Sequence, residues 1–198
     1  MQYCRKCPDA VAEIRGGMEA PQLTGCVRFY QENGCVLIEA RISGLPRESE
    51  TGFFGFHIHQ GESCSGADFS GTGSHYNPTG QVHPKHAGDL PPLLACQGNA
   101  YLSVKTDRFC VNEIIGRTVV IHSDPDDFNS QPAGNAGKKI ACGVIRKRRS
   151  RCRGCLSFSL FMANKFLFLK DYSTNKFRRR TCNTQCPASV MLFFNCHQ

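Results

Sequence analysis

Long apolar runs are missing from this 198-residue chain, and their absence removes one class of protein. The most apolar stretch, Leu156 to Leu169, is broken by Asn164 and Lys165 and stops short of the roughly 20 residues that a membrane-spanning helix needs. No transmembrane segment is expected, and an interfacial attachment has weak support. The first residues, Met1 to Pro8, lack the apolar core of a secretory signal. As written the chain therefore reads as cytoplasmic, with an exported or periplasmic setting as the alternative if the true N-terminus differs.

Two further scarcities organise the rest. Helical periodicity is hard to find before residue 146, which argues against a helical bundle. Acidic residues all but vanish after that point: residues 146–198 carry 12 Lys and Arg against Asp171 alone, whereas the first 145 carry 12 basic and 15 acidic residues. The net charge of +8 thus belongs to the C-terminal part and not to the chain as a whole. The expected organisation is a tail over 1–9, a folded domain over 10–146 and an irregular, basic, cysteine-rich extension over 147–198.

What the first 145 residues do contain is short alternation. Val27 and Phe29, then Val36, Ile38, Ala40 and Ile42, fall on single faces, with Arg28, Glu39 and Arg41 opposite, as half-buried antiparallel strands require. Asn99 to Val104 and Thr118 to His122 read as two more strands. Short strands separated by Gly-rich and Pro-rich turns indicate an all-β sandwich or barrel. About 135 residues suffice for one ordinary core.

Histidine carries the chemistry. Six of the seven histidines lie between positions 57 and 122, and only His197 falls outside. The run Phe53 to His59 is rich in aromatic and β-branched residues and reads as one strand, so Phe54, Phe56 and Ile58 share one face while His57 and His59 share the other. His83, His86 and Asp89 recur every three residues, but Pro84 forbids an ordinary helix interior, so a loop presents them. With His75 they make four nitrogen and oxygen donors suited to zinc. Imidazole also suits copper, and with His122 the set allows two metals.

Six blocks, in order, carry a family resemblance: Gly55-Phe56-His57-Ile58-His59, Ser74-His75-Tyr76-Asn77-Pro78, His86-Ala87-Gly88-Asp89-Leu90, Ile115-Gly116-Arg117-Thr118-Val119-Val120-Ile121-His122, Gly134-Asn135-Ala136-Gly137 and Ala141-Cys142-Gly143-Val144-Ile145. Over roughly residues 10 to 146 the chain resembles the copper-zinc superoxide dismutases, in their compact bacterial type. The resemblance implies a Greek-key sandwich or flattened barrel with long metal-binding loops. It implies copper on His57, His59, His75 and His122, and zinc on His75, His83, His86 and Asp89, with His75 as a bridging imidazolate. It places Asp126 where an aspartate links a copper-bound to a zinc-bound histidine, and it pairs Cys64 with Cys142.

The activity so implied is copper-dependent disproportionation of superoxide to dioxygen and hydrogen peroxide, with zinc as structural partner. The substrate is a small anion, for which this enzyme class is itself an example of electrostatic steering. Lys139 stands where the family has a guiding arginine; it keeps the charge but not the planar two-pronged donor. Activity below that of an arginine variant is the expectation. The alternative is a non-catalytic copper- and zinc-binding protein on the same scaffold, for storage or delivery.

The other cysteines read more plainly. Cys26, Cys35, Cys96 and Cys110 are taken as small buried or loop thiols, and Cys4 and Cys7 as part of a loose terminus. In the extension, Cys152 and Cys155 with Cys182, Cys186 and His197 could hold zinc. Its basic clusters could bind nucleic acid or an anionic surface, though an accessory role is the preferred reading. A homodimer is compatible with the family, and nothing in the residues specifies it.

Overall fold

The computed structural model of the chain describes residues 7–148, and strands dominate it. They are β1 (Ala10–Gly16), β2 (Thr24–Glu32), β3 (Cys35–Ser43), β4 (Phe53–Phe54), β5 (Phe56–His59), β6 (Leu93–Cys96), β7 (Asn99–Thr106), β8 (Thr118–His122) and β9 (Lys139–Lys147). Among the described residues the only helical pieces are α1 (Val111–Ile114) and a single 3₁₀ turn at Ser70–Thr72. All pairings are antiparallel, in the order β4-β6-β7-β3-β2-β1-β9-β8-β5. Only Gly55 separates β4 from β5, the two strands at opposite ends of that order, so the sheet nearly closes into a flattened barrel. The neighbours β3–β7 and β1–β9 are distant in sequence, the long returns of a Greek key.

The alternation read from the sequence sets the register. Val27 pairs with Ala40 and Phe29 with Ile38, and all four are fully buried. Ala10, Ala12 and Ile14 of β1 join them, together with Phe54, Phe56 and Ile58. Each large side chain buried in this way contributes roughly 1.5–3 kcal/mol. A one-residue slip would turn the whole apolar set outward, so the pairing is strongly specified.

Two features differ from the sequence reading. The strand expected over Phe53 to His59 is broken at Gly55, where a Cβ would stand 2.9 Å from the Ala136 Cβ. Gly55 instead donates its N–H to the Asp124 carbonyl and accepts from the His122 N–H, which draws the 123–138 loop against the strand end. The thiols also differ, since Cys96 and Cys110 are exposed whereas Cys26 and Cys35 are half-buried. Cys7 is disulfide-bonded rather than loose; Cys4 lies outside the described residues.

Every residue of β5 and β8 is buried, unlike the outer strands. Core covers one face of this pair and loops cover the other. A hydrophilic pair of strands could not be sealed in this way without partners for its polar groups. Here the sealed polar groups are histidines and Thr118, whose hydroxyl donates to the Gly61 carbonyl at 3.2 Å.

At the termini of the domain the Asp9 N–H donates to the Phe29 carbonyl and the Arg148 N–H to the Asp9 carbonyl, so pairing continues slightly past both ends of the barrel strands. The basic extension, with its cysteines and His197, lies outside the described residues except for its first two. No helix among the described residues is long and apolar enough to cross a membrane.

Candidate metal centre

Because side chains two apart on a strand share a face, β5 projects His57 and His59 together into the loop layer. β8 runs antiparallel beside it, with His57 opposite Val120 and His59 opposite Thr118. His122 ends β8, where the ladder to β9 shifts register between Ile121 and His122. The other edge of β5 is sewn to the metal loop: Ile58 N–H bonds the Gly88 carbonyl, Tyr76 N–H bonds the Ile58 carbonyl, and Gly88 N–H bonds the Tyr76 carbonyl. That approach needs Gly88, since a Cβ there would sit 2.2 Å from the Ile58 carbonyl oxygen.

These contacts gather two donor clusters, His57/His59/His75/His122 and His75/His83/His86/Asp89, in each of which the candidate ligand atoms lie within 4.8 Å of one another. His75 belongs to both. Its Nδ1 donates to Asp89 Oδ1 at 2.7 Å, on the side of the second cluster, while its Nε2 is buried with no hydrogen-bond partner among the described residues. His57 is similar: Nε2 is committed to Asp126 Oδ2 at 2.8 Å, and buried Nδ1 has no partner. His59 and His122 turn Nδ1 outward to the carbonyls of Gly73 (2.9 Å) and Gly137 (3.3 Å), which leaves their Nε2 atoms facing each other at 3.2 Å.

Asp126 ties the clusters together. Its Oδ2 accepts from His57 and its Oδ1 from His83 Nε2 at 2.9 Å, with a third bond from the Phe128 N–H at 2.7 Å. A Cβ at Gly134 would lie 2.1 Å from Asp126 Oδ1, so this left-handed glycine leaves the room that the bridge occupies. Burial pushes the Asp126 carboxyl up, but the bonds from His57, Phe128 and His83 outweigh it and hold the group down at about 2. Burial likewise acts against Asp89, and the bond from His75 with the neighbouring imidazoles keeps it below the usual carboxylate range.

His57, His59 and His122 are kept neutral. Burial drives His59 down to about 2 and His122 to about 3, and it lowers His57 despite Asp126. A neutral ring offers the lone pair that a metal takes, whereas imidazolium has none. Buried ring nitrogens without a partner among the described residues, His57 Nδ1 and His75 Nε2 among them, form a costly interior by themselves. With a cation at their centre the same nitrogens are satisfied. The second cluster, three imidazoles and a carboxylate, has the donor set that zinc takes, and the His83 ring carries an outer hydrogen bond, to Asp126, of the kind common in such sites.

Lys139 approaches from β9. Its Nζ donates to Thr72 Oγ1 at 2.8 Å and to the Gly73 carbonyl at 3.0 Å, the same carbonyl that holds His59. Neighbouring Lys138 is paired with Glu19 at 2.6 Å, but Lys139 has no carboxylate within ion-pair distance among the described residues. Gly73, Gly137 and Lys139 line a cavity of about 710 Å³ together with Asp68, whose carboxylate acts on the Lys139 ammonium without an ion-pair contact, and the Gly73 and Gly137 carbonyls hold His59 and His122. Burial lowers the Lys139 ammonium from its usual value.

The expected disulfide is present. Cys64 and Cys142 are joined across 78 residues and pack with Phe69 and Val120 in a small apolar cluster apart from the main core. It anchors the loop that leads to Thr72 and Gly73. Sequence reasoning did not reach Thr72, the outward carbonyls of Gly73 and Gly137, or Gln131, whose amide holds the His83 backbone through both its N–H (3.1 Å) and its carbonyl (2.8 Å). Isolated polar residues in loops give no periodic or motif signal.

A Greek-key barrel that buries two donor sets sharing one imidazole defines a two-metal protein of the β class. Residues 23–145 match the family model of copper/zinc superoxide dismutase, and the chain belongs to that family. Relatives agree. It is 38% identical over 140 residues to superoxide dismutase (Cu-Zn) 2 of Aquifex aeolicus strain VF5, covering 63% of this chain and 80% of that one. It is 38% identical over 154 residues to superoxide dismutase (Cu-Zn) 3 of Arabidopsis thaliana, covering 69% and 88%. With the extracellular superoxide dismutase (Cu-Zn) of Rattus norvegicus the identity is 33% over 154 residues, covering 72% of this chain and 61% of the relative.

Proposed function

We propose that this chain disproportionates superoxide with copper held by His57, His59, His75 and His122 and zinc held by His75, His83, His86 and Asp89. The observation that carries the reading is the two-sided environment of His75: one nitrogen turned to the carboxylate of one cluster, the other buried and unpartnered toward the second cluster. Copper, when bound, supplies one-electron exchange in both directions, and redox-inert zinc fixes the shared ring.

The remaining work falls to the chain's own groups. Lys139 draws the anion into the cavity and is held at its edge by Thr72 and Gly73. Gly73 and Gly137 fix the rings of His59 and His122 through their outer nitrogens, and Asp126 fixes His57 and His83 together, so hydrogen bonds from outside the donor sets orient these rings. The buried wall of β5 and β8 keeps bulk water from the rings.

The full chain loaded with copper and zinc is expected to dismutate superoxide, and His59→Ala is expected to lose that activity. Full occupancy of both metals without dismutation would instead favour the storage or delivery reading.

Lys139 yields a sharper expectation. Lys139→Met should slow the reaction by about tenfold at low ionic strength, and the gap should close as added salt shortens the screening length. Lys139→Arg should exceed the wild-type rate because the planar fork adds a second donor at the same place, and an equal or lower rate would contradict this. Rates measured by pulse radiolysis across a salt series decide this. A Lys139→Met rate equal to wild type at low salt would remove Lys139 from any guiding role.

A further inference from the structure

Arg108 lies in the turn between β7 and α1, outside every residue block that suggested the function. Its Nη1 donates to three main-chain carbonyls, those of Pro84 (3.3 Å), His86 (3.2 Å) and Asp89 (2.9 Å). No carboxylate lies within ion-pair distance of it among the described residues, so the guanidinium is spent on these carbonyls instead. Two of the three belong to His86 and Asp89, and the third directly follows His83. From the opposite side Gln131 grips the His83 backbone at both its N–H and its carbonyl. The ligand-bearing segment 83–89 has no helix or strand of its own and is therefore fastened at both ends by side chains from other loops.

We propose that Arg108 is the positioning residue of the zinc-side cluster, fixing the His83/His86/Asp89 segment in its ligating conformation. The inference rests on the reading of that cluster as a zinc site. Nη1 carries two N–H groups, so the three carbonyls share them, and these charge-assisted contacts restrict the loop and remove ordering cost from metal binding. Outer groups that orient metal ligands are typically worth about 10–100-fold in affinity. The guanidinium charge opposes this benefit, since a cation near the cluster repels a dication. The two effects have opposite signs, so a charge-neutral replacement separates them. If ordering dominates, removing Arg108 weakens zinc; if repulsion dominates, removing it strengthens zinc.

The experiment measures zinc and copper affinities of the full chain by competition with chromophoric chelators, for wild type, Arg108→Met, Arg108→Lys and His83→Ala. The expected result is a zinc affinity lowered about 10–100-fold in Arg108→Met, with copper affinity within about twofold of wild type. Arg108→Lys, which keeps the charge on a shorter side chain that reaches the same carbonyls less well, should fall between Arg108→Met and wild type; it also covers the case in which the methionine variant does not fold. Unchanged or tighter zinc binding in both variants overturns the proposal. So does a parallel loss of zinc and copper affinity accompanied by a lower melting temperature of the metal-free protein, because that pattern marks general structural support. If His83→Ala binds as much zinc as wild type, the zinc-site reading itself fails, and this inference with it.

Discussion

Replacing His75 by alanine is expected to remove dismutase activity and to lower the affinity of both donor clusters at once. No other residue belongs to both sets. Losing an outer-shell partner typically costs about 10–100-fold in affinity, so losing a shared ligand should cost at least about a hundredfold at each site. The substitution also leaves Asp89 without the bond that does most to hold its carboxyl down against burial. His86→Ala provides the comparison, because His86 belongs to one cluster only and its loss should release zinc while copper stays bound. Metal content after dialysis, read with activity on the same samples, checks this. A His75→Ala protein that retains one metal at full strength would mean the clusters do not share the ring.

Removing the disulfide by Cys64→Ser with Cys142→Ser is the second large effect. A cross-link spanning 78 residues restricts the unfolded chain by about 4.5 kcal/mol on chain-entropy arguments, and native bonds of this kind deliver roughly 2–5 kcal/mol. For a domain of this size that corresponds to a fall in melting temperature of roughly 10–20 °C. The loss should not be confined to stability. The loop tethered at Cys64 leads to Thr72 and Gly73, and these hold Lys139 and His59. Activity at a temperature well below the transition should therefore fall as well. Calorimetry of the double variant within about 2 °C of wild type would show that the bond constrains little.

Much of this architecture can be read from residue order alone, and the reason is local. Val27, Phe29, Ile38 and Ala40 alternate, and alternation is sufficient to define which face of a strand is buried. The histidines could be assembled because their spacing is strand-like at His57 and His59 and loop-like at His75, His83, His86 and Asp89, while Asp126, Lys139, the bridging role of His75 and the Cys64–Cys142 pairing followed from resemblance. Other features depend on long-range contact. At the break, the Gly55 backbone bonds Asp124 and His122 from far along the chain, which its own neighbours do not signal. Arg108 and Gln131 act on residues 19 to 48 positions away, through single side chains that no pattern distinguishes from solvent-facing ones. Thr72 meets Lys139 across 67 positions for the same reason.

The order of the site also follows from its physics. Burial keeps His57, His59 and His122 neutral, and Asp126 and Asp89 keep their charge because imidazole and backbone donors face them. The result is a set of lone pairs and two carboxylates aimed inward, with one ammonium, Lys139, in the adjoining cavity without a direct carboxylate contact among the described residues. An anion is attracted to such a cavity, and a metal to such a centre.

The most direct test of the account is anomalous diffraction from crystals of the chain loaded with copper and zinc, collected on either side of each metal's absorption edge. The account predicts a copper peak among His57, His59, His75 and His122, a zinc peak among His75, His83, His86 and Asp89, and the His75 ring between them. Two peaks of the same metal, or one cluster empty while the other is full, would contradict it.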